Sequence, residues 1–102
     1  MYVARFSYSV MPANRQRAIE FIRQELRAAA RVPLKARMLV PLTRAQGGPS
    51  LQFELEVQSL DQFETFRERG IESDKETASW MQEFSEILTS PPSVELLRIQ
   101  DS

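Results

Sequence analysis

The chain has 102 residues, enough for one domain with its own core and too few for two. It contains neither cysteine nor histidine, which excludes disulfides, zinc–thiolate sites, iron–sulfur clusters and a thiol nucleophile, and removes the commonest general base near neutral pH. The net charge is -1, yet residues 1–50 carry nine Lys and Arg against two acidic residues, whereas residues 51–102 carry four against twelve.

The first strand is predicted over residues 2–10, where apolar and polar side chains alternate with the two-residue period of a half-buried strand. Its apolar positions are Tyr2, Ala4, Phe6, Tyr8 and Val10. Tyr2 and Tyr8 therefore belong to the core side, and we expect their hydroxyl groups to lie near its rim.

A basic helix is predicted over residues 14–31, with Asn14 as its N-cap and Pro33 beyond its end. Its apolar residues recur at helical spacing: Ala18, Ile19, Phe21, Ile22, Leu26 and Ala29. The later helices are acidic, so ion pairs between neighbouring helices would explain the uneven charge without any further partner.

Two more strands are predicted over residues 36–42 and 51–57, joined by the turn Gln46-Gly47-Gly48-Pro49. Residues 51–57 alternate cleanly between apolar and polar side chains, whereas in residues 36–42 the alternation of Ala36, Met38, Val40 and Leu42 is interrupted because Leu39 is apolar too. Because Pro41 has no backbone N–H to donate, the strand that contains it should lie at a sheet edge or carry a bulge.

Two capping patterns predict the remaining helices. Ser59-Leu60-Asp61-Gln62 begins a short helix that ends near Gly70, and Ser73-Asp74-Lys75-Glu76 begins a helix over residues 74–89. The second helix should carry one apolar side, formed by Ala78, Met81, Phe84, Ile87 and Leu88.

The last strand is predicted over residues 94–100, after Pro91 and Pro92 have ended the helix. Leu96 and Leu97 are adjacent and both apolar, so the pattern does not decide which face each residue occupies. Either Glu95 or Arg98 could therefore join the polar face of the sheet.

The resulting order β-α-β-β-α(α)-β predicts a single α+β domain over residues 1–102 with the ferredoxin-like fold. Two split βαβ units then share one antiparallel four-stranded sheet, with the helices on one face and strands 1 and 3 at the centre.

Several segments resemble one known superfamily. They are the strand leading through Val10-Met11-Pro12-Ala13-Asn14 into a basic helix, the run from Phe53 to Glu64, Trp80-Met81-Gln82-Glu83-Phe84, and Ser93 to Ile99. Together they resemble the dimeric α/β-barrel superfamily, especially its NIPSNAP-like and antibiotic-biosynthesis-monooxygenase-like members. The resemblance implies a homodimer whose two sheets pack face to face, with a small-molecule cavity in each protomer or near the interface.

Members of that superfamily include cofactor-independent monooxygenases acting on quinol-like aromatics, haem-degrading enzymes, lactone isomerases and proteins without an assigned activity, so the fold alone does not give the reaction. Its haem degraders use an Asn, a Trp and a His, and its monooxygenases an Asn with a Trp. This chain has no His, its single Asn is the helix cap Asn14, and only Trp80 could match. The resemblance therefore implies the fold and the dimer, and no catalytic residue.

Two groups of residues are candidate ligand-binding sites. Trp80 and Phe84 could line a cavity for an aromatic or apolar molecule, although aromatic residues at helical spacing are also typical of an ordinary core. Arg5, Glu54 and Glu56 should share the sheet face that the helices leave free. Covered by a second sheet, a carboxylate there could act as a base; otherwise these residues form an ion-pair ladder that sets the dimer register.

Nucleic acid is not an expected partner, because the outward positions of strand 3 are Gln52, Glu54, Glu56 and Gln58 where RNA-binding domains of this topology carry aromatic residues. No membrane span, metal site or cofactor is expected either, and without a leader-like segment the location should be cytoplasmic.

Two functional hypotheses remain open. The first is a homodimer that binds a small organic molecule, with monooxygenase-like or isomerase-like activity as a further step; whether the protein is an enzyme is not decided by the residues. The alternative is a non-catalytic dimerisation or interaction module. A cavity near Trp80 and Phe84 would favour the first, and a filled core would favour the second.

Overall fold

The computed structural model describes residues 1–44, 46–69 and 74–100. The elements in chain order are β1 (Tyr2–Tyr8), a 3-10 turn (Pro12–Asn14), α1 (Arg15–Arg31), β2 (Ala36–Leu39), β3 (Leu51–Val57), α2 (Leu60–Arg69), α3 (Asp74–Ser85) and β4 (Ser93–Arg98). No helix within the described residues is long and apolar enough to cross a membrane.

The strands form one antiparallel sheet in the order β2-β3-β1-β4. This is the predicted ferredoxin-like arrangement, with β1 and β3 at the centre and the other two strands at the edges. β2 ends at Leu39 and is shorter than predicted. The ladder stops two residues before Pro41, which cannot donate to it. The strand order confirms the predicted edge position of β2.

The register separates the two faces of the sheet. Ala4, Phe53, Leu55 and Val57 are buried beneath the helices, on what we call the helix face. Arg5 stands opposite Glu54 on the other side, which we call the outer face. The alternation of β1 and β3 in the sequence therefore assigned their faces correctly, because successive side chains of a strand point to opposite sides.

β4 was the strand of undecided phase, and its pairing with β1 resolves it. Glu95 stands opposite Arg5 and so lies on the outer face, whereas Arg98 stands opposite Tyr2 and lies on the helix face. Leu96 and Leu97 consequently point to opposite sides of the strand, and both remain exposed.

α1 packs on the sheet through a stripe that includes Ala18, Ile22 and Ala29, all fully buried. Asn14 occupies the predicted N-cap position but makes no side-chain capping hydrogen bond. The 3-10 turn that ends at Asn14 leads the chain from the sheet into α1 instead, with the Asn14 N–H donating to the Met11 carbonyl at 2.9 Å.

The capping prediction for α2 is confirmed: the Gln62 N–H donates to Ser59 Oγ at 3.2 Å, and Gln62 Oε1 accepts from the Gln58 N–H at 2.6 Å. Each contact satisfies a backbone donor that the helix itself leaves unpaired. Gly70 and Ser73, on which the end of α2 and the second capping pattern were predicted, lie outside the described residues.

α3 ends at Ser85, earlier than predicted, and its apolar side differs from the expected one. Met81 is 59% exposed and Ala78 is exposed as well, whereas Phe84 and Ile87 are buried. Helical spacing placed all four on one side, but Ile87 lies beyond the helix end, where the chain turns back to the sheet through a bridge between Val10 and Leu88.

Candidate functional site

A cavity of about 380 Å³ lies between the helix face of the sheet and the helices. Phe6 and Tyr8 of β1 form its floor, and Val94 of β4 borders it. α2 contributes Phe66 and Arg67, α3 contributes residues from Thr77 to Ser85, and α1 contributes Glu25. Its size and its mostly apolar and aromatic lining, with a few polar groups, are typical of small-molecule sites.

Glu25 is the unusual residue of this cavity. It lies in the buried stripe of α1, one turn after Ile22, and is only 5% exposed. Its carboxylate Oε1 accepts a hydrogen bond from the Tyr8 hydroxyl at 2.8 Å. The hydroxyl of Tyr8 therefore lies inside the molecule against α1, and the expectation that it would reach the rim of the core is wrong.

The environment of this pair changes its acid–base properties. Burial raises the pKa of Glu25 from its ordinary 4.5 to about 8, and the hydrogen bond from Tyr8, which favours the charged form, offsets only part of that effect. The pKa of Tyr8 is raised as well, first by burial and then by the neighbouring Glu25. Tyr8 therefore stays a hydrogen-bond donor at neutral pH, while Glu25 can both take and release a proton.

Aromatic side chains hold the helices against this end of the cavity. Phe84 packs against Tyr8 at 4.7 Å between ring centroids, stacks on Phe21 at 4.8 Å, and meets the edge of Trp80 at 5.5 Å. Trp80 Nε1 donates to the Phe21 carbonyl at 3.0 Å, which ties α3 to α1 one turn before Glu25. Phe84 and Trp80 of α3 are rigid rings that contact Phe21 of α1, and α1 carries Glu25. The cluster therefore fixes the position of Glu25.

The outer face carries a separate cluster of charges centred on Glu54. Arg5 Nε donates to its Oε2 at 2.7 Å, and Arg37 donates to its Oε1 through Nε at 3.0 Å and Nη2 at 2.7 Å. Burial alone would raise the pKa of Glu54, but the hydrogen bonds from Arg37 and Arg5 and their charges outweigh it, so the pKa lies below its ordinary value. Glu54 is thus a fixed anion and not a base.

The five predicted site residues form two groups, not one site. Trp80 and Phe84 line the cavity on the helix face. Arg5, Glu54 and Glu56 lie on the outer face, as predicted from their alternation, with the whole sheet between them and the cavity. The two groups therefore cannot contact one ligand, because successive side chains of a strand point to opposite faces of the sheet and the helices cover only one of them.

Sequence reasoning missed Glu25. Its signal was available: it is the one charged residue at a position where the spacing of Ile22 and Ala29 calls for an apolar side chain. Within the described residues, no group of three or more carboxylates is arranged to hold a metal ion. On the far side of Trp80, Arg27 of α1 and Glu83 of α3 line one surface groove, where ion pairing between helices stays a prediction.

No family model and no curated protein matches the sequence. Solved structures do match the fold. An uncharacterised NIPSNAP domain protein from Burkholderia xenovorans is 14% identical with a TM-score of 0.74, and the match covers 98% of this chain and 95% of that one. An antibiotic biosynthesis monooxygenase is 12% identical with a TM-score of 0.72, covering 99% and 100%. A NIPSNAP family protein from Agrobacterium tumefaciens is 19% identical with a TM-score of 0.73, covering 98% and 93%. At these identities the comparison establishes the fold, and the resemblance seen in the sequence is confirmed at that level.

Proposed function

We propose that this protein binds a small, largely apolar organic molecule in the cavity between sheet and helices, and that Glu25 exchanges a proton with it. The observation that carries the proposal is the buried Glu25 carboxyl group in the wall of an aromatic cavity, with Tyr8 as its hydrogen-bond donor. The fold does not require a carboxyl group at position 25, since an apolar residue would fill the buried stripe of α1 without the free-energy cost of desolvation.

The chemistry that this arrangement favours is proton transfer of the isomerase type. The ionised Glu25 takes a proton from a carbon next to a carbonyl group, and the carboxylic acid so formed returns it to a different atom of the same molecule. No atom is gained or lost and no cofactor is required. A pKa of about 8 for Glu25 keeps both protonation states accessible near neutral pH.

A monooxygenase-like reaction is the second candidate, favoured by the shared fold with an antibiotic biosynthesis monooxygenase. There Glu25 would take the proton of an aromatic hydroxyl group, and molecular oxygen, the co-reactant, would oxidise the resulting anion to a quinone, with one oxygen atom entering the product and the other leaving as water. Both reactions begin with proton abstraction by Glu25, from a carbon in the first and from a hydroxyl group in the second, so Glu25→Gln should abolish either. A non-catalytic interaction module, the remaining alternative, would have no use for the cavity.

Binding can be tested with N-phenyl-1-naphthylamine, a neutral apolar fluorophore that accepts energy from Trp80, the single tryptophan of the chain. We expect saturable energy transfer in the wild-type protein. Val94→Phe should fill the cavity and weaken the signal, whereas Leu96→Phe, on the same strand and face but outside the cavity lining, should not. Binding that is absent, or equally affected by both variants, would refute the proposal.

Proton transfer can be tested on whatever molecule co-purifies with the protein and is identified by native mass spectrometry. In D2O, the wild-type protein should exchange one hydrogen of that molecule for deuterium, as read by NMR. Glu25→Gln should bind the molecule and fail to exchange it. A molecule that keeps all its carbon-bound hydrogens with the wild-type protein would refute proton transfer of the isomerase type.

We also propose that two copies pair through their outer faces. The helices cover one face of the sheet only, and the outer face presents Leu97, 37% exposed, beside the Glu54 charge cluster. Desolvation of such a surface drives association, and the fixed charges set its register. Leu97→Arg should therefore give monomers in sedimentation velocity, while Leu96→Arg on the helix face should leave the wild-type state. A wild-type protein that is monomeric at high micromolar concentration would refute the pairing.

A further inference from the structure

We infer that the ligand is an organic anion: an apolar body with an acidic group that binds Arg67 at one end of the cavity and an uncharged hydrogen-bonding group that meets Glu25 at the other. This inference rests on the proposed function and specifies its ligand class. It follows from how the charges of the cavity are distributed.

The cavity lining contains one cation and one acidic residue among the residues that the structure describes. The cation is Arg67, in the last turn of α2, and the acid is Glu25. An apolar cavity needs neither charge for packing, and Arg67 brings a planar group with several donors that suits a carboxylate, sulfonate or phosphate.

The two ionisable groups are associated with different residues of the floor, Arg67 with Phe6 through Phe63 and Glu25 with Tyr8. Arg67 Cζ lies 5.5 Å from the ring centroid of Phe63, which in turn packs against Phe6 at 6.3 Å. Glu25 accepts a hydrogen bond from the Tyr8 hydroxyl. Phe6 and Tyr8 are two residues apart on one face of β1, so their side chains are separated by roughly 7 Å of apolar floor. A ligand that meets both ends must therefore be apolar in the middle.

Arg67 can be recruited at little cost. Its present ion pair joins Nη1 to Glu64 Oε1 at 3.8 Å, and both side chains are more than half exposed. Pairs of this kind contribute little because water solvates both partners. The Glu25 end is the reverse case, since among the described residues the lining has no cation there to offset the cost of bringing an anion into a poorly solvated place. The arrangement thus sets the orientation of the ligand, with its anion toward α2.

The test compares 8-anilinonaphthalene-1-sulfonate with N-phenyl-1-naphthylamine, which has the same aromatic body without the sulfonate. Both are titrated with energy transfer from Trp80 as the readout. Arg67→Gln should weaken the sulfonate probe by about tenfold, the typical effect of a hydrogen bond to a charged group, and the neutral probe by less than about twofold. Arg69→Gln is the matched control, because Arg69 is an exposed arginine of the same helix outside this cavity lining.

The outcomes separate the two proposals. If both probes bind, Val94→Phe weakens both, and Arg67→Gln weakens neither or both alike, the anion inference is wrong and the proposed function stands. If neither probe binds saturably, the proposed function fails and the inference fails with it. Thermal unfolding of both arginine variants at the wild-type temperature establishes that the comparison reports on binding.

Discussion

The buried carboxyl group of Glu25 should make the stability of this protein fall as the pH rises. Its pKa is about 8 in the folded protein against an ordinary 4.5, so between these values the folded state binds more protons than the unfolded state. The free energy of unfolding then decreases with increasing pH, and the contribution of Glu25 is fully present only below about pH 4.5. This is the opposite of the effect of a carboxylate held by a cation.

The magnitude follows from the two values. The two pKa values differ by about 3.5, which at 1.36 kcal/mol per pKa unit corresponds to at most roughly 5 kcal/mol lost by pH 9, because water entering at the cavity would stabilise the ionised form and reduce the loss. Domains of this kind are stable by about 5–15 kcal/mol, so the loss would be a large part of the total.

Glu25→Gln removes the titration and keeps an oxygen that can accept the Tyr8 hydrogen bond. Urea unfolding of both proteins, followed by circular dichroism from pH 5 to pH 9, should give a difference that grows in favour of the variant by up to about 4 kcal/mol. Glu20→Gln, an exposed glutamate of the same helix, should leave the wild-type dependence on pH unchanged. Parallel curves for the wild-type protein and Glu25→Gln would contradict the burial argument.

Three further changes test other parts of the structure. Glu54→Gln should flatten the acid limb of the curve of unfolding free energy against pH. Folding lowers the pKa of Glu54, so its contribution is present above pH 4.5 and is lost as the pH falls through the lower folded value. An unchanged acid limb would contradict the assignment of Glu54 as a fixed anion. Trp80→Phe removes the hydrogen bond to the Phe21 carbonyl and should lower the free energy of unfolding by about 1–2 kcal/mol in urea; no loss would mean that the bond does not hold α3 to α1. Ser59→Ala removes the capping contact of α2 and should cost about 1 kcal/mol by the same measurement, while Ser79→Ala, whose hydroxyl bonds only an exposed side chain, should cost much less; equal losses would contradict the cap.

Local patterns in the sequence were sufficient for most of the fold. β1 and β3 alternate cleanly, so their faces, their central positions and the separation of Arg5 from the core could be predicted. Pro41 indicated the edge strand because a residue without a backbone N–H is disfavoured in the centre of a sheet, whichever residues flank it. These features depend on the backbone and on residues one or two positions away.

The candidate site was less accessible, since it depends on contacts across the chain. Trp80 and Phe84 could be identified as cavity candidates, but Glu25 was recognisable only as an exception in an apolar stripe, and its partner Tyr8 is 17 residues away in sequence. The phase of β4 was undecided for the same reason: adjacent Leu96 and Leu97 give no period, and only pairing with β1 assigns them.

The sequence by itself determined the order of the elements and the inward side of the central strands, because periodicity and proline chemistry act locally. Tertiary structure alone decided that Trp80 and Phe84 line a cavity, that Tyr8 donates to Glu25, and that a buried carboxyl group meets that cavity. The tertiary structure also decided the pKa of Glu25, since desolvation depends on all the atoms packed around a group and not on the residues beside it in the chain.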